Sequence, residues 1–134
     1  MPAPIAITHC PCDEQRLYAR CCGPLHEGAV ARSAEALMRS RYAAYVLRME
    51  PYLLTTWHPS TRPGSLAFGD GALQAPKWLG LKIVRHETAP DGDAAVVEFV
   101  ARFRVGGGSA QRMCEVSRFL RVDGRWLYLD GDVG

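Results

Sequence analysis

The chain has 134 residues, 48% of them hydrophobic and 22% charged, a balance that fits one folded domain and excludes a disordered chain. Its formal net charge is only +2, without a block of like charges, so bulk electrostatics gives nucleic-acid binding no push. No apolar run approaches the ~18 residues of a membrane span, and no signal peptide is visible before Cys10; the expectation is a reducing cytoplasm and no membrane partner.

Four of the five cysteines fall within the first twenty-two residues, as Cys10-x-Cys12, eight intervening residues, then Cys21-Cys22. Two close pairs across a short loop can gather four thiolates around one tetrahedral ion. Zinc favours that donor set, and the bound ion supplies folding energy to a segment with no core of its own. The competing reading is a pair of disulfides, which belongs to oxidising compartments, and adjacent cysteines bridge each other only under strain. The zinc knuckle is preferred. Cys10, Cys12 and Cys21 are the firm ligands and Cys22 the preferred fourth. His26 is the alternative fourth ligand, whereas His9 would crowd Cys10. A closed set of four leaves no position for water or substrate, so the metal would be structural. Arg16 and Arg20 are the cations expected to offset its negative charge. Cys114, far along the chain, reads as a buried small hydrophobe.

Residues 1 to 31 otherwise look irregular. Ser33 offers an N-cap hydroxyl and Glu35 places an acid in the first turn of a helix running from Ala34 to about Met49. Met38, Tyr42, Tyr45 and Met49 recur on it at threes and fours. Pro51 opens a shorter helix through Leu54 that ends near Trp57, because Pro59 disfavours helix at His58. The glycines and prolines of Ser60 to Pro76 predict a loop. Strands follow: Leu81 to Thr88, a turn at Pro90-Asp91-Gly92-Asp93, then Ala94 to Val105 with Val97, Phe99, Ala101 and Phe103 on one face. A triple-glycine connection leads to Gln111 to Val122. Asp123-Gly124 signals a two-residue hairpin into Arg125 to Asp130. Helices followed by an antiparallel meander give an α+β fold with the helices on one sheet face.

Several blocks resemble one known family. The knuckle, with Tyr18 ahead of the cysteine pair, resembles the SEC-C motif, which in the translocation ATPase SecA binds zinc and contacts partner proteins. Across most of Cys10 to Gly131 the chain resembles the YchJ-like bacterial proteins. The matching blocks are Leu37-Met38-Arg39-Ser40-Arg41-Tyr42, Thr56-Trp57-His58-Pro59-Ser60, Trp78-Leu79-Gly80-Leu81, Phe99-Val100-Ala101-Arg102-Phe103, Ser117-Arg118-Phe119-Leu120 and Gly124-x-Trp126-x-Tyr128-x-Asp130-Gly131. The resemblance implies a zinc knuckle, residues 1–31, joined to a cone of the nuclear-transport-factor-two type, residues 32–134, in which a curved antiparallel sheet wraps around helices. Two departures stand out. Asp13-Glu14 occupies the place of the usual Gly-Ser after the second cysteine, and no second cysteine knuckle follows the last strand before Gly134.

A cone of this kind encloses a pocket, for which Arg39, Arg41, Tyr42, Trp57, His58, Arg102, Glu115, Arg118, Tyr128 and Asp130 are the candidate polar and aromatic groups. Arg39 and Arg41 lie two apart on a helix and cannot point the same way, so one is expected to face the sheet. Arg118 shares a strand face with Cys114, Val116 and Leu120, which suggests a structural salt bridge in apolar company. His58 reads as a turn residue before it reads as a general base. Nothing matches a nucleophile triad, a phosphate loop or a metalloprotease signature. The sequence therefore favours a non-enzymatic module that presents its knuckle to a protein partner. The alternative is an enzyme or small-molecule receptor using the pocket around His58, Arg118 and Asp130. A third reading has RNA bound through Arg16 and Arg20.

Overall fold

The structure is a computed structural model that describes residues 7–66 and 76–134. Strands β1 (His9–Cys10) and β2 (Asp13–Leu17) form a small antiparallel hairpin, a 3-10 turn spans Tyr18–Arg20, and helices α1 (Cys22–His26), α2 (Ala34–Val46) and α3 (Glu50–Thr55) follow. Strands β3 (Pro76–Thr88), β4 (Ala94–Val105), β5 (Gln111–Val122) and β6 (Arg125–Val133) form one antiparallel sheet in chain order. This is the α+β arrangement expected. The front segment is more regular than its sequence suggests, because its elements are too short for any periodicity to declare them. Strand β3 starts five residues before the expected Leu81, and β6 runs on to Val133. Of the loop expected between Ser60 and Pro76, residues 67–75 lie outside the described residues.

Ser33 caps α2 as its sequence indicates, its Oγ accepting from the Ala36 amide at 3.1 Å. The helix stops at Val46 instead of Met49. Arg48 adopts a left-handed backbone with φ of 58°, which breaks the helical hydrogen-bond run and turns the chain into α3, where Pro51 occupies the first turn. The Asp123-Gly124 turn has φ of 52° and 79°, the paired positive values of a two-residue hairpin turn.

Register fixes which side of the sheet meets the helices. In β4, Ala95, Val97, Phe99 and Ala101 are buried, and their partners in β5 are Phe119, Ser117, Glu115 and Met113. Bulges between Trp78 and Gly80, between Ile83 and Arg85, and between Arg118 and Phe119 bend the strands, increasing the twist with which the sheet wraps α2. The exit of α3 is pinned to β6: His58 N–H donates to Tyr128 O at 2.7 Å, and Tyr128 N–H donates to Thr56 O at 2.9 Å.

The core runs without a break from knuckle to sheet. Cys10, Cys12 and Cys22 are buried in the same cluster as Leu37, Met38, Tyr42, Val97, Phe99, Phe119 and Trp126. Phe119 is 1% exposed at the middle of this cluster. Phe119→Ala is expected to lower unfolding stability by about 3–5 kcal/mol, read as a drop in the urea midpoint at unchanged slope.

Candidate functional site

The amino-terminal cysteines converge. Sγ separations are 3.6 Å for Cys10–Cys12, 3.5 Å for Cys12–Cys21, 3.9 Å for Cys21–Cys22 and 3.7 Å for Cys12–Cys22. All four sulfurs lie within 4.8 Å of one another. A tetrahedron with metal–sulfur bonds of about 2.3 Å has sulfur–sulfur edges of about 3.8 Å, so this cluster has the size of a four-thiolate metal cage. The separations are far beyond a disulfide bond of about 2.05 Å, and all five cysteines are free thiols.

Local structure explains the convergence. Asp13 accepts from the Gln15 amide at 2.9 Å, a side-chain turn that replaces the expected glycine without strain. Gly23 is required: a Cβ there would come within 2.7 Å of the Tyr18 carbonyl, so a larger residue would push Cys22 out of the cluster. The protons of the cluster are strongly coupled. Contacts with Cys12 and then Cys22 hold the Cys10 thiol well below its ordinary value. The bond to Cys10 pushes Cys12 up to about 12, and Cys22 is raised further, chiefly by its bonds to Cys10 and Cys12. One thiolate is welcome; each further one meets its neighbour's charge, the repulsion a divalent cation relieves.

His26 does not point a free nitrogen at the sulfurs. Its Nδ1 lies 2.6 Å from the Tyr18 hydroxyl and its Nε2 lies 2.8 Å from the Ser40 carbonyl, and burial pulls its pKa down. With Nε2–H donating to Ser40 and Nδ1 accepting from Tyr18, the neutral ring satisfies both contacts. The fourth donor in the cluster is Cys22. A cation outside the expected pair also reaches the knuckle. Arg16 turns to Asp13 at 3.5 Å, while Arg39 reaches from α2 to the Cys12 carbonyl at 3.5 Å and pairs with Glu35 at 3.0 Å.

Behind α2 the sheet encloses a cavity of about 250 Å³. Of the residues singled out from sequence, Arg41, Tyr42, Glu115 and Tyr128 line it, together with Tyr45, Trp78, Phe99 and Met113. Arg39 does not, being spent on the knuckle. The arginine facing inward is Arg41, 3% exposed, with Nη1 donating to Leu53 O at 2.8 Å and to Thr56 Oγ1 at 2.7 Å. Its guanidinium lies over the rings of Trp57 and Tyr128, 5.0 Å and 4.6 Å from their centroids. Trp57 thus packs edge-on behind Tyr128 and does not line the cavity. His58 is a turn residue, its Nδ1 accepting from the Ser60 amide and hydroxyl at 3.1 and 2.8 Å.

Arg102, Arg118 and Asp130 stand on the outer face of the sheet. Arg102 is exposed. Arg118 makes the expected salt bridge, to Asp130 at 2.5 Å and Asp132 at 2.8 Å, but it does so in solvent, with side chains 40%, 46% and 75% exposed. Cys114 lies half-exposed on that same face, not in the core. The β5 faces were ambiguous because Cys114, Val116 and Leu120 are themselves apolar. The unambiguous β4 pattern, carried across the register, would have placed Glu115 and Ser117 inside beside Phe119.

The two arginines of α2 should therefore respond unequally to neutralisation. Arg41→Met removes the short hydrogen bond to the buried Leu53 carbonyl, leaving it only the 3.3 Å contact of the Thr56 hydroxyl, an expected loss of about 1–3 kcal/mol. Arg39→Met removes a half-screened pair and is expected to cost less than about 1 kcal/mol. Urea unfolding of the two variants checks the contrast.

Comparison with known proteins agrees with this geometry. The family model described as "YchJ, middle NTF2-like domain" matches residues 33–131, beginning at the cap of α2. A UPF0225 protein of Xanthomonas oryzae is 54% identical over 131 residues, 97% of this chain and 98% of its own. A UPF0225 protein of Ralstonia nicotianae is 52% identical over 142 residues, covering 99% and 96%. Among solved structures, a SEC-C motif containing protein from Rhodopseudomonas palustris superimposes with a TM-score of 0.78 at 37% identity, over 92% of this chain and 97% of that one. Another, from Psychrobacter arcticus, gives a TM-score of 0.74 at 29% identity, over 93% and 82%.

Proposed function

The chain belongs to the YchJ-like family, and we propose that it is a cytoplasmic, non-enzymatic interaction module whose SEC-C-like knuckle is built on a structural zinc ion. The observation that carries this reading is the tetrahedral spacing of four buried or half-buried sulfurs, with no fifth donor grouped with them among the described residues. Cys10, Cys12, Cys21 and Cys22 would hold the ion. Bound there, zinc supplies charge neutralisation and a crosslink between the β1–β2 hairpin and α1. A closed four-sulfur set offers no site to activate water, which favours a structural role over a catalytic one.

Around the sulfurs the chain's own residues set the frame. Tyr18 and Ser40 hold His26, which locks α1 to α2, and Arg39 ties the Cys12 carbonyl to Glu35. The knuckle is thus presented on the cone at a fixed orientation. Leu17 and Val30 stand 45% and 50% exposed on the segment, apolar points suited to a protein surface. The likeness to the SEC-C motif is the reason to place the partner contact there, an analogy from one short motif.

Two measurements test the reading. Elemental analysis of untagged protein is expected to return one zinc per chain, falling to near zero in Cys22→Ser and staying at one in His26→Gln. Zinc lost in His26→Gln and kept in Cys22→Ser would reassign the ligand, while metal-free protein with freely titratable thiols would end the zinc proposal. Affinity capture from cells should recover a partner with the wild type that Cys10→Ser/Cys12→Ser fails to recover; equal recovery would move the contact away from the knuckle.

A further inference from the structure

The cavity behind α2 holds a carboxylate, Glu115, that makes no salt bridge among the described residues. Glu115 Oε2 accepts from the Ser117 hydroxyl at 2.5 Å and from the Tyr128 hydroxyl at 3.2 Å. Both neighbours act as donors, an arrangement that suits the ionised form. Among the described residues Glu115 makes no salt bridge, in contrast with the paired acids Glu35, Glu87, Glu98, Asp93, Asp130 and Asp132. The backbone makes room for it: a Cβ at Gly131 would overlap the Glu115 carboxylate. Arg41 borders the same cavity, but its Nη1 is engaged by the carbonyl and hydroxyl at the end of α3, and its plane lies over Trp57 and Tyr128. Arg41 and Glu115 feel each other's charge across the cavity, but Arg41 is held by the end of α3 and the two rings, so Glu115 keeps no cation in direct contact.

The rest of the lining is aromatic: Tyr42, Tyr45, Trp78, Phe99 and Tyr128. Trp78 meets Tyr42 edge-on at 5.9 Å and Tyr45 at a 54° tilt and 6.5 Å, so these rings form the corners of a box and do not stack flat. Ring faces carry partial negative charge and attract cations, most strongly where water is excluded. At about 250 Å³ the space lies below the ~300–1,000 Å³ of sites for drug-sized ligands, which restricts the occupant to a small molecule.

We propose that this cavity binds a small organic cation, a quaternary or protonated amine, with its charge against Glu115 and its alkyl groups among Tyr42, Tyr45, Trp78, Phe99 and Tyr128. The site is independent of the sulfur cluster, so its failure would leave the zinc reading standing.

The test is titration of the zinc-loaded protein with tetramethylammonium and choline, followed by tryptophan fluorescence and by NMR shifts of Trp78 and Tyr128. The controls are the uncharged isostere 3,3-dimethylbutan-1-ol and the anion benzoate. Saturable binding of the cations is expected, with the isostere weaker by roughly tenfold or more. Glu115→Gln keeps an acceptor for Ser117 and Tyr128 but loses the charge, and should weaken cation binding by roughly tenfold. Glu115→Asp keeps the charge and should retain more affinity than the glutamine variant. Thermal melting of each variant separates lost binding from lost folding; Trp78→Leu, which leaves Glu115 in place, gives a second readout if the Glu115 variants unfold. The proposal is overturned if the isostere binds as well as the cations, or if both Glu115 variants bind like wild type. It is also overturned if benzoate is preferred, which would hand the site to Arg41, or if no cation saturates at tens of millimolar.

Discussion

Helix α2 is covered on more than one side, and each polar group it carries inward must find its partner inside the protein. Three consecutive residues show the constraint. Ser40 turns toward the knuckle, its carbonyl meeting His26 and its hydroxyl meeting Leu37 O and Tyr52 at 2.7 Å each. Arg41 turns toward α3 and closes its carbonyl end at the buried Leu53. Tyr42 turns to the sheet, against Trp78. Among the described residues no buried side-chain nitrogen or oxygen is left without a partner. The placement of knuckle, α3 and sheet around one helix follows from satisfying these three neighbours at once.

The same logic separates the arginines. A buried guanidinium without its acceptors would be far costlier than an exposed one, so the contacts of Arg41 matter more than the shorter ones of Arg118. Arg118 gains attraction from two carboxylates, which raise its pKa and lower that of Asp132, but all three groups stand in water, where that attraction is weak. Burial, and not ion-pair distance, decides which arginine the fold rests on.

Much of this was legible in the sequence. The cysteine spacing announced its cluster, Ser33 announced the start of α2, and Asp123-Gly124 announced the last hairpin, because each is a local signal with a local cause. The α+β class and the core face of β4 followed from alternation. The contents of the cavity were less legible. Two residues apart on α2, Arg39 and Arg41 are equivalent to any periodicity argument, and only the arrival of Cys12 on one side and Leu53 on the other distinguishes them. Likewise Arg118 was assigned inward by the apolar company of its strand face, when both faces of β5 carry apolar residues. Register with β4 is a long-range fact, and it sorts the candidates: Glu115 lines the cavity as expected, while Arg118 and Asp130 face out.

Strand β3 ends the sheet, and among the described residues no further strand pairs with it. An unpaired strand margin thirteen residues long is a template on which another polypeptide can add itself, the first step of uncontrolled assembly. Here Lys77, Lys82 and Arg85 place positive charge along that margin, and two bulges break its straightness. An incoming chain would have to bury those charges and follow an irregular ladder. The curvature that lets the sheet close around its helix also makes its open side a poor seed for aggregation.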